Sequence, residues 1–217
     1  MKKLVTSLIK HPLFSGSFLM VGGSMFVNVI SYLYHVIMGR ILGPSDYGIL
    51  ASTFSVFYIA AIVPLSSSVA IVKFVSSAKN AKEAAAVYQG IKHFVSKIAV
   101  VGAVVMLLVS YPIMGFLKIP SVVPVALISP IFFLSLLTLT NQSALQGLLD
   151  FAGFVVPNII SNLTKLLLGV VLVLLGLSVS GAMGAIAVGV LLAYVYSDFA
   201  IKKRIKPSRN QEFDLQR

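Results

Sequence analysis

The sequence predicts an all-α integral membrane protein, a bundle of six transmembrane helices with both termini in the cytoplasm. Of its 217 residues, 58% are hydrophobic and only 11% are charged, against about a quarter charged in soluble domains. A single soluble globule could not bury that much apolar surface. Because the chain contains no cysteine, a disulfide-stabilised scaffold is also excluded.

Long apolar stretches define the six spans. A helix of about 20 apolar residues crosses the hydrocarbon core of a bilayer, and six stretches meet this length: 14–38, 49–72, 94–117, 122–145, 154–175 and 182–200. The predicted organisation is a cytoplasmic N-terminus (1–13), a six-helix transmembrane lobe (14–200) and a basic cytoplasmic tail (201–217). Pro64 and Pro130 fall inside two spans, which membrane helices tolerate where neighbouring helices satisfy the freed backbone groups.

The distribution of cations predicts the orientation of the spans. Both termini and the connection after the second span fall on one side of a six-span chain, and most of the lysines and arginines lie there. The other side has only Arg40 and Lys118. The positive-inside rule therefore places both termini in the cytoplasm of a multi-pass cell-membrane protein. The net charge of +11 is thereby explained by topology, and no nucleic-acid partner is expected. Residues 78–92 are expected to form a short amphipathic helix at the inner surface, with lysines near anionic lipid. Fourteen of the seventeen cations lie on the predicted cytoplasmic side: Lys2, Lys3, Lys10, Lys73, Lys79, Lys82, Lys92, Lys97, Lys202, Lys203, Arg204, Lys206, Arg209 and Arg217.

Polar residues recur at helical spacing inside three spans. Groups three or four residues apart lie on one face of a helix, so each span carries a polar face, and these faces are expected to meet across a hydrated cavity. Asn and Ser in membrane helices also commonly do no more than hydrogen-bond a neighbouring helix, and His35 lies near an interface where histidine is ordinary. The faces are Ser24, Asn28, Ser31 and His35 in the first span; Thr138, Asn141, Gln142 and Gln146 in the fourth; and Asn158, Asn162 and Lys165 in the fifth.

Lys165 is the most informative of these residues, because an ammonium near the middle of a span is costly unless it is hydrated or paired. No acidic residue lies at comparable depth, since Asp46, Asp150 and Asp198 all fall at span ends. We interpret Lys165 as a cavity cation that awaits an anionic substrate. The alternative is a counter-ion supplied by another segment or a second chain.

Signatures of catalysis are absent from the sequence. It contains no glycine-rich phosphate loop, no paired carboxylates and no histidine or cysteine cluster with metal-ligand spacing,. The expectation is a protein that is not an enzyme and that has no catalytic residues, cofactor or metal.

Two motifs carry a resemblance to a known family. The turn between the first two spans reads Gly39-Arg-Ile-Leu-Gly-Pro-Ser-Asp-Tyr-Gly48, and the connection after the fourth span reads Gln146-Gly-Leu-Leu-Asp-Phe151. Over residues of about 14 to 200 the chain resembles polysaccharide biosynthesis proteins. These are lipid-linked oligosaccharide flippases of the multidrug/oligosaccharidyl-lipid/polysaccharide exporter superfamily.

The resemblance implies a fold and a substrate. The fold is a pair of pseudo-symmetric, MATE-like lobes of about six helices each, with a central cavity open alternately to either side. The substrate is a polyprenyl-pyrophosphate-linked sugar, and an ion gradient or the membrane potential supplies the energy. In this sequence Lys165 would bind the pyrophosphate, with Arg40 at the outer mouth. The residues expected to contact sugar hydroxyls are Asn28, His35, Asn141, Asn158 and Asn162.

The length of the chain bears on its partners. Family members have about twelve to fourteen spans, so six spans correspond to the N-terminal lobe, which would work with a second lobe or as a homodimer. Two other functions remain open. A drug or organic-cation antiporter of the same superfamily would require an intramembrane carboxylate, and a non-transporting membrane scaffold would not require Lys165.

Overall fold

The computed structural model describes residues 12–205, apart from the side chains of residues 12–15, 17 and 63–66. Within this range the chain is helical and has no strand, which confirms the all-α class. The predicted cytoplasmic residues 1–11 and 206–217, with six of the basic side chains, lie outside the described residues. The helices are α1 (Pro12–Ser76), α2 (Ala81–Phe116), α3 (Val123–Ala126), α4 (Ile128–Gly147), α5 (Phe151–Leu172), a π-helical turn (Val173–Leu177) and α6 (Ser178–Arg204).

Helix α1 reverses direction at Gly43, whose φ of 72° and ψ of 175° are not helical and favour glycine. The ring centroids of Tyr34 and Phe54 lie 6.4 Å apart, whereas twenty residues of straight helix would separate them by about 30 Å. His35 Nδ1 also lies 3.1 Å from the Tyr47 hydroxyl. The first and second halves of α1, before and after Gly43, therefore form a helical hairpin at the predicted turn.

A second reversal joins α5 to α6 through the π-helical turn, where Gly176 has a φ of 89°. A Cβ atom added at Gly189 would lie 2.7 Å from the carbonyl oxygen of Ser161, so the two helices pack backbone to backbone. The small side chains of α6 permit this approach, and Gly181, Ala185, Gly189 and Ala193 are all buried.

The first half of α1 packs against α5 in parallel. A Cβ atom at Gly16 would lie 2.1 Å from the ring of Phe151, and one at Gly23 would lie 2.2 Å from Val155. Further along, Met38 contacts Gly169. Since the contacting residue numbers rise together on both helices, these helices run in the same direction, and two glycines allow them to touch.

The bundle has two chemically different ends. At the turn end, which holds Gly43 and Gly176, Asp46 accepts a hydrogen bond from Ser178. The basic end is formed by residues 73–92, 146–151 and 198–205. There Asp198 pairs with Lys92 at 2.5 Å and Lys202 at 2.6 Å, and Asp150 pairs with Arg204 at 2.7 Å.

Four helical stretches of the described chain are long and apolar enough to cross a membrane. The first and the last of them contain the reversals at Gly43 and Gly176. They are Phe18–Ile62, Ala81–Phe116, Val123–Gly147 and Phe151–Arg204.

The expected separate surface helix over residues 78–92 is wrong. Helix α2 begins at Ala81 and continues unbroken to Phe116. Its start is a variant of the capping box: the N-cap Asn80 accepts from the Glu83 N–H, and Glu83 accepts from the N–H of Lys79, one residue before the N-cap, both at 2.8 Å,. The lysine-containing residues 81–92 are therefore the first turns of a helix that is long enough to cross the membrane, where lysine ammonium groups can stay in water.

Candidate functional site

Lys165 lies between α5 and the first half of α1. Its ammonium nitrogen is 3.3 Å from the Ser31 hydroxyl oxygen and 4.7 Å from the centroid of the Tyr34 ring. Among residues 12–205, no carboxylate lies within 4.0 Å of the Lys165 nitrogen. The predicted meeting of the polar faces of the first and fifth spans is therefore present, and a cation lies at the point where they meet.

The partners of Lys165 do not saturate its ammonium group. An ammonium has three N–H donors and no acceptor, and the described residues supply one hydroxyl and one aromatic face. The hydroxyl of Tyr34 is itself buried and has no hydrogen-bond partner in the described chain. A half-buried ammonium with unused donor capacity is suited to an anion with several oxygens.

Tyr34 was not predicted as a site residue, although its position three residues after Ser31 indicated the same helical face. A buried tyrosine hydroxyl ordinarily finds a hydrogen-bond partner. A tyrosine on the polar face of a membrane helix therefore indicates a candidate site residue. Tyr32, its neighbour in sequence, points away from the bundle and is 69% exposed.

His35 is partly buried in an aromatic cluster one residue beyond Tyr34. Its ring centroid lies 5.5 Å from that of Tyr34 and 5.7 Å from that of Phe54. Its contact with the Tyr47 hydroxyl joins the two halves of α1. His35 is thus held on the turn-end side of Lys165, along the same polar face.

A small cavity separates the two helices on the basic-end side of Lys165. It has a volume of about 140 Å³, and its polar lining is Ser24, Asn28 and Asn158. Asn162 lies between this cavity and Lys165 on α5, and its amide nitrogen donates to the Asn158 carbonyl at 2.9 Å. The structure therefore brings Asn28 and Asn158 together and places Asn162 one turn from Asn158.

A larger cavity of about 310 Å³ lies on the other side of Asn158, between the second half of α1 and helices α4, α5 and α6. Gln142 enters it, and its amide nitrogen donates to the Phe154 carbonyl at 3.2 Å. The lining residues are Phe57, Tyr58, Ala61, Phe132, Ser135, Leu136, Thr138, Leu139, Gln142, Asn158, Ser161, Val190 and Ala193.

Comparison with known protein families matches residues 13–216 to the family described as polysaccharide biosynthesis protein. The chain belongs to this family. The resemblance carried by the two motifs is confirmed, and with its long apolar helices the chain is a multi-pass membrane protein of the family. No curated protein and no solved structure matches it.

The family motifs build helix ends in this member. The first motif contains the reversal at Gly43 and supplies Asp46, the acceptor for Ser178. The second supplies Asp150, which caps α5 by accepting from the Gly153 N–H at 3.0 Å and also pairs with Arg204,. The residues of the two motifs therefore shape the bundle, and the unpaired polar groups of Lys165 and Tyr34 lie between its helices.

Two predicted site residues lie apart from this region. Asn141 is fully buried on α4, where its oxygen accepts from the Tyr88 hydroxyl at 2.8 Å and its nitrogen donates to Ser197 at 3.1 Å. It lines neither cavity. Arg40 is exposed three residues before Gly43 and makes no ion pair within the described range. Residues 12–205 also contain no cluster of three or more His, Asp or Glu side chains that could hold a metal ion.

Proposed function

We propose that this bundle is one lobe of a flippase that moves polyprenyl-pyrophosphate-linked sugars across the cytoplasmic membrane for cell-surface polysaccharide biosynthesis. The observation that carries the proposal is Lys165, a cation between two polar helix faces with no carboxylate beside it. Membership of the polysaccharide biosynthesis family supports the same substrate class.

The proposed topology has six membrane crossings. The reversals at Gly43 and Gly176 divide two of the four long helices, so each of these would cross the membrane twice. An even number of crossings leaves both termini on one side. The lysines and arginines of the basic end favour the cytoplasm for that side.

In the proposed mechanism the polar faces of α1 and α5 form a track for the head group. Asn158 and Asn162 lie on the cytoplasmic side of Lys165, and His35 and Arg40 lie on the outer side. The pyrophosphate would bind Lys165, with Ser31 as a hydroxyl donor, because opposite charges attract strongly where water is scarce. The polyprenyl chain would remain in the surrounding lipid.

A membrane potential would favour this direction of transport. Moving one elementary charge through 100 mV changes its energy by about 2.3 kcal/mol. The energy of an anion that leaves a negative interior falls by that amount for each charge. Alternating access would require a second surface opposite α1 and α5, which we assign to a second lobe or a second copy of the chain.

A drug or organic-cation antiporter has less support. Coupling to a cation or proton would need a carboxylate near Lys165, and the described carboxylates lie at helix ends. Asp46 contacts Ser178 at the turn end, and Asp150 and Asp198 pair with basic side chains at the basic end.

The proposal is tested by Lys165→Met in the native host, with surface polysaccharide and membrane-inserted protein both quantified. We expect surface polysaccharide to fall at least tenfold at unchanged protein level, because the only cation between the described parts of α1 and α5 is lost. Lys118→Met, in the exposed connection after α2, is the matched control. Wild-type surface polysaccharide in the Lys165→Met strain would contradict the proposal and leave a scaffold role.

A further inference from the structure

The 310 Å³ cavity beside Asn158 lies outside the proposed pyrophosphate site, since none of Lys165, Ser31 and Tyr34 lines it. Its lining contains no charged side chain, which disfavours an ionic ligand because burying an unpaired charge is costly. Its volume is at the lower end of the range of small-molecule sites, about 300–1,000 Å³. The cavity therefore suits a small neutral group.

The polar atoms in this cavity are suited to a ligand with many hydroxyls. The amide nitrogens of Gln142 and Asn158 both donate to the Phe154 carbonyl at 3.2 Å. No donor of the described chain bonds to the side-chain oxygens of these two residues, so both oxygens remain available as acceptors. The hydroxyls of Ser135 and Ser161 likewise have no partner there, and each can donate or accept.

The remaining walls of the cavity are aromatic and aliphatic. Phe57, Tyr58 and Phe132 line the cavity, and Tyr58 is stacked on Phe54 with centroids 5.9 Å apart. A pyranose ring has hydroxyls at its edge and an apolar face of C–H groups. Acceptor oxygens, free hydroxyls and flat rings in one neutral cavity match that pattern.

The distance from Lys165 fits a sugar that is bonded directly to a pyrophosphate. Ser161 and Asn158 precede Lys165 on α5 by four and seven residues, a rise of about 6 Å and about 10.5 Å along the helix. A diphosphate on Lys165 leaves its first sugar ring within this range.

We propose that the cavity is the subsite for an uncharged first sugar ring of the lipid-linked substrate, with Gln142, Asn158 and Ser161 as its hydrogen-bonding residues. The assignment of this ring rests on the proposed flippase function. It also predicts specificity, since a first sugar that carries a carboxylate would be excluded from a cavity without a cation.

The test uses the purified protein in lipid nanodiscs and two kinds of probe that separate the two proposals. Saturation-transfer NMR measures binding of neutral methyl hexosides and methyl N-acetylhexosaminides, with methyl glucuronide as the charged comparison. Polyprenyl pyrophosphate without a sugar, followed by fluorescence quenching of the tyrosines, probes the pyrophosphate site, because this ligand has no ring to place in the cavity.

We expect at least one neutral glycoside to bind and the glucuronide to give no signal. Gln142→Leu and Ser161→Ala should each weaken glycoside binding at least tenfold and leave pyrophosphate binding unchanged. Lys165→Met should do the reverse. The matched control is Ser96→Ala on α2, which removes a hydroxyl bonded only to the carbonyl of its own helix at His93. Circular dichroism checks that each variant is folded. If Gln142→Leu does not fold, Ser161→Ala alone tests the subsite, because it removes only one hydroxyl oxygen from the lining of the cavity.

Each further outcome decides between the proposals. If polyprenyl pyrophosphate binds but no neutral glycoside does, or if glycoside binding is insensitive to both cavity variants, the subsite is wrong and the flippase proposal stands. If a glycoside binds in the cavity while polyprenyl pyrophosphate does not bind, the flippase proposal fails and the sugar site is supported.

Discussion

Two polar regions cross this bundle, and they differ in how completely their groups are paired. Where α2, α4 and α6 meet, Tyr88, Asn141 and Ser197 bond to one another through two hydrogen bonds. Where α1 and α5 meet, Lys165 has one serine hydroxyl and the face of Tyr34, whose own hydroxyl has no partner in the described range.

The two regions therefore differ in pairing more than in residue type, and under the proposed function that difference separates structural polar groups from ligand-binding ones. A satisfied polar contact holds helices together, with a typical contribution of about 0.6 kcal/mol in a bilayer. An unsatisfied cation destabilises the empty protein and favours an anionic ligand. Substitutions in the two regions should therefore affect different measurements.

The largest effect is expected from Lys165→Met, measured this time as stability. Removing a cation without a counter-ion should raise the free energy of unfolding in detergent by about 2 kcal/mol, below the cost of about 2.5–3.5 kcal/mol for a lysine at the membrane centre. Thermal denaturation followed by circular dichroism checks this. A lower melting temperature would show that Lys165 has a stabilising partner.

A change of similar size and opposite sign is expected where α1 touches α5. Gly23→Ala places a methyl group 2.2 Å from a methyl of Val155, and such overpacking costs about 1–3 kcal/mol. Gly22→Ala is the matched control, because a Cβ atom there has no neighbour within 4 Å. Equal melting temperatures for the two variants would contradict the close parallel packing.

Asn141→Leu tests the paired region. It removes both hydrogen bonds and should lower the free energy of unfolding by about 1 kcal/mol, while binding of a neutral methyl glycoside to the folded protein stays at the wild-type level. Titration at a temperature where the variant is folded makes the comparison. A specific loss of binding at that temperature would move Asn141 into the substrate site, as the sequence predicted.

The smallest effect is expected at the basic end. Arg204→Gln breaks the pair with Asp150, but the arginine side chain is 59% exposed, and exposed pairs contribute only about 0–1 kcal/mol. The melting temperature should change by no more than a degree or two at physiological salt. A larger decrease would indicate that this pair anchors the end of α6.

Sequence periodicity predicted the polar faces of α1 and α5 because a helical repeat is a local property. The turn at Gly43-Pro44 was predicted for the same reason. Gln142 was recognised only as part of a polar face, and Ser161 and Tyr58 were not recognised, because their exposure to one cavity depends on which helices are neighbours. The prediction of a separate surface helix over residues 78–92 was wrong because the lysines after Asn80 indicated a polar segment but did not indicate that its helix continues to Phe116.

The close parallel contact between α1 and α5 has a consequence for biogenesis. Ser31 and Lys165 are 134 residues apart in sequence, so the first hairpin leaves the ribosome long before its partner. At about 5–20 residues per second, the interval is roughly 7 to 27 seconds. During that time Asn28 and Ser31 have no α5 to cover them, so we expect the new hairpin to stay beside the insertion machinery until α5 has been made.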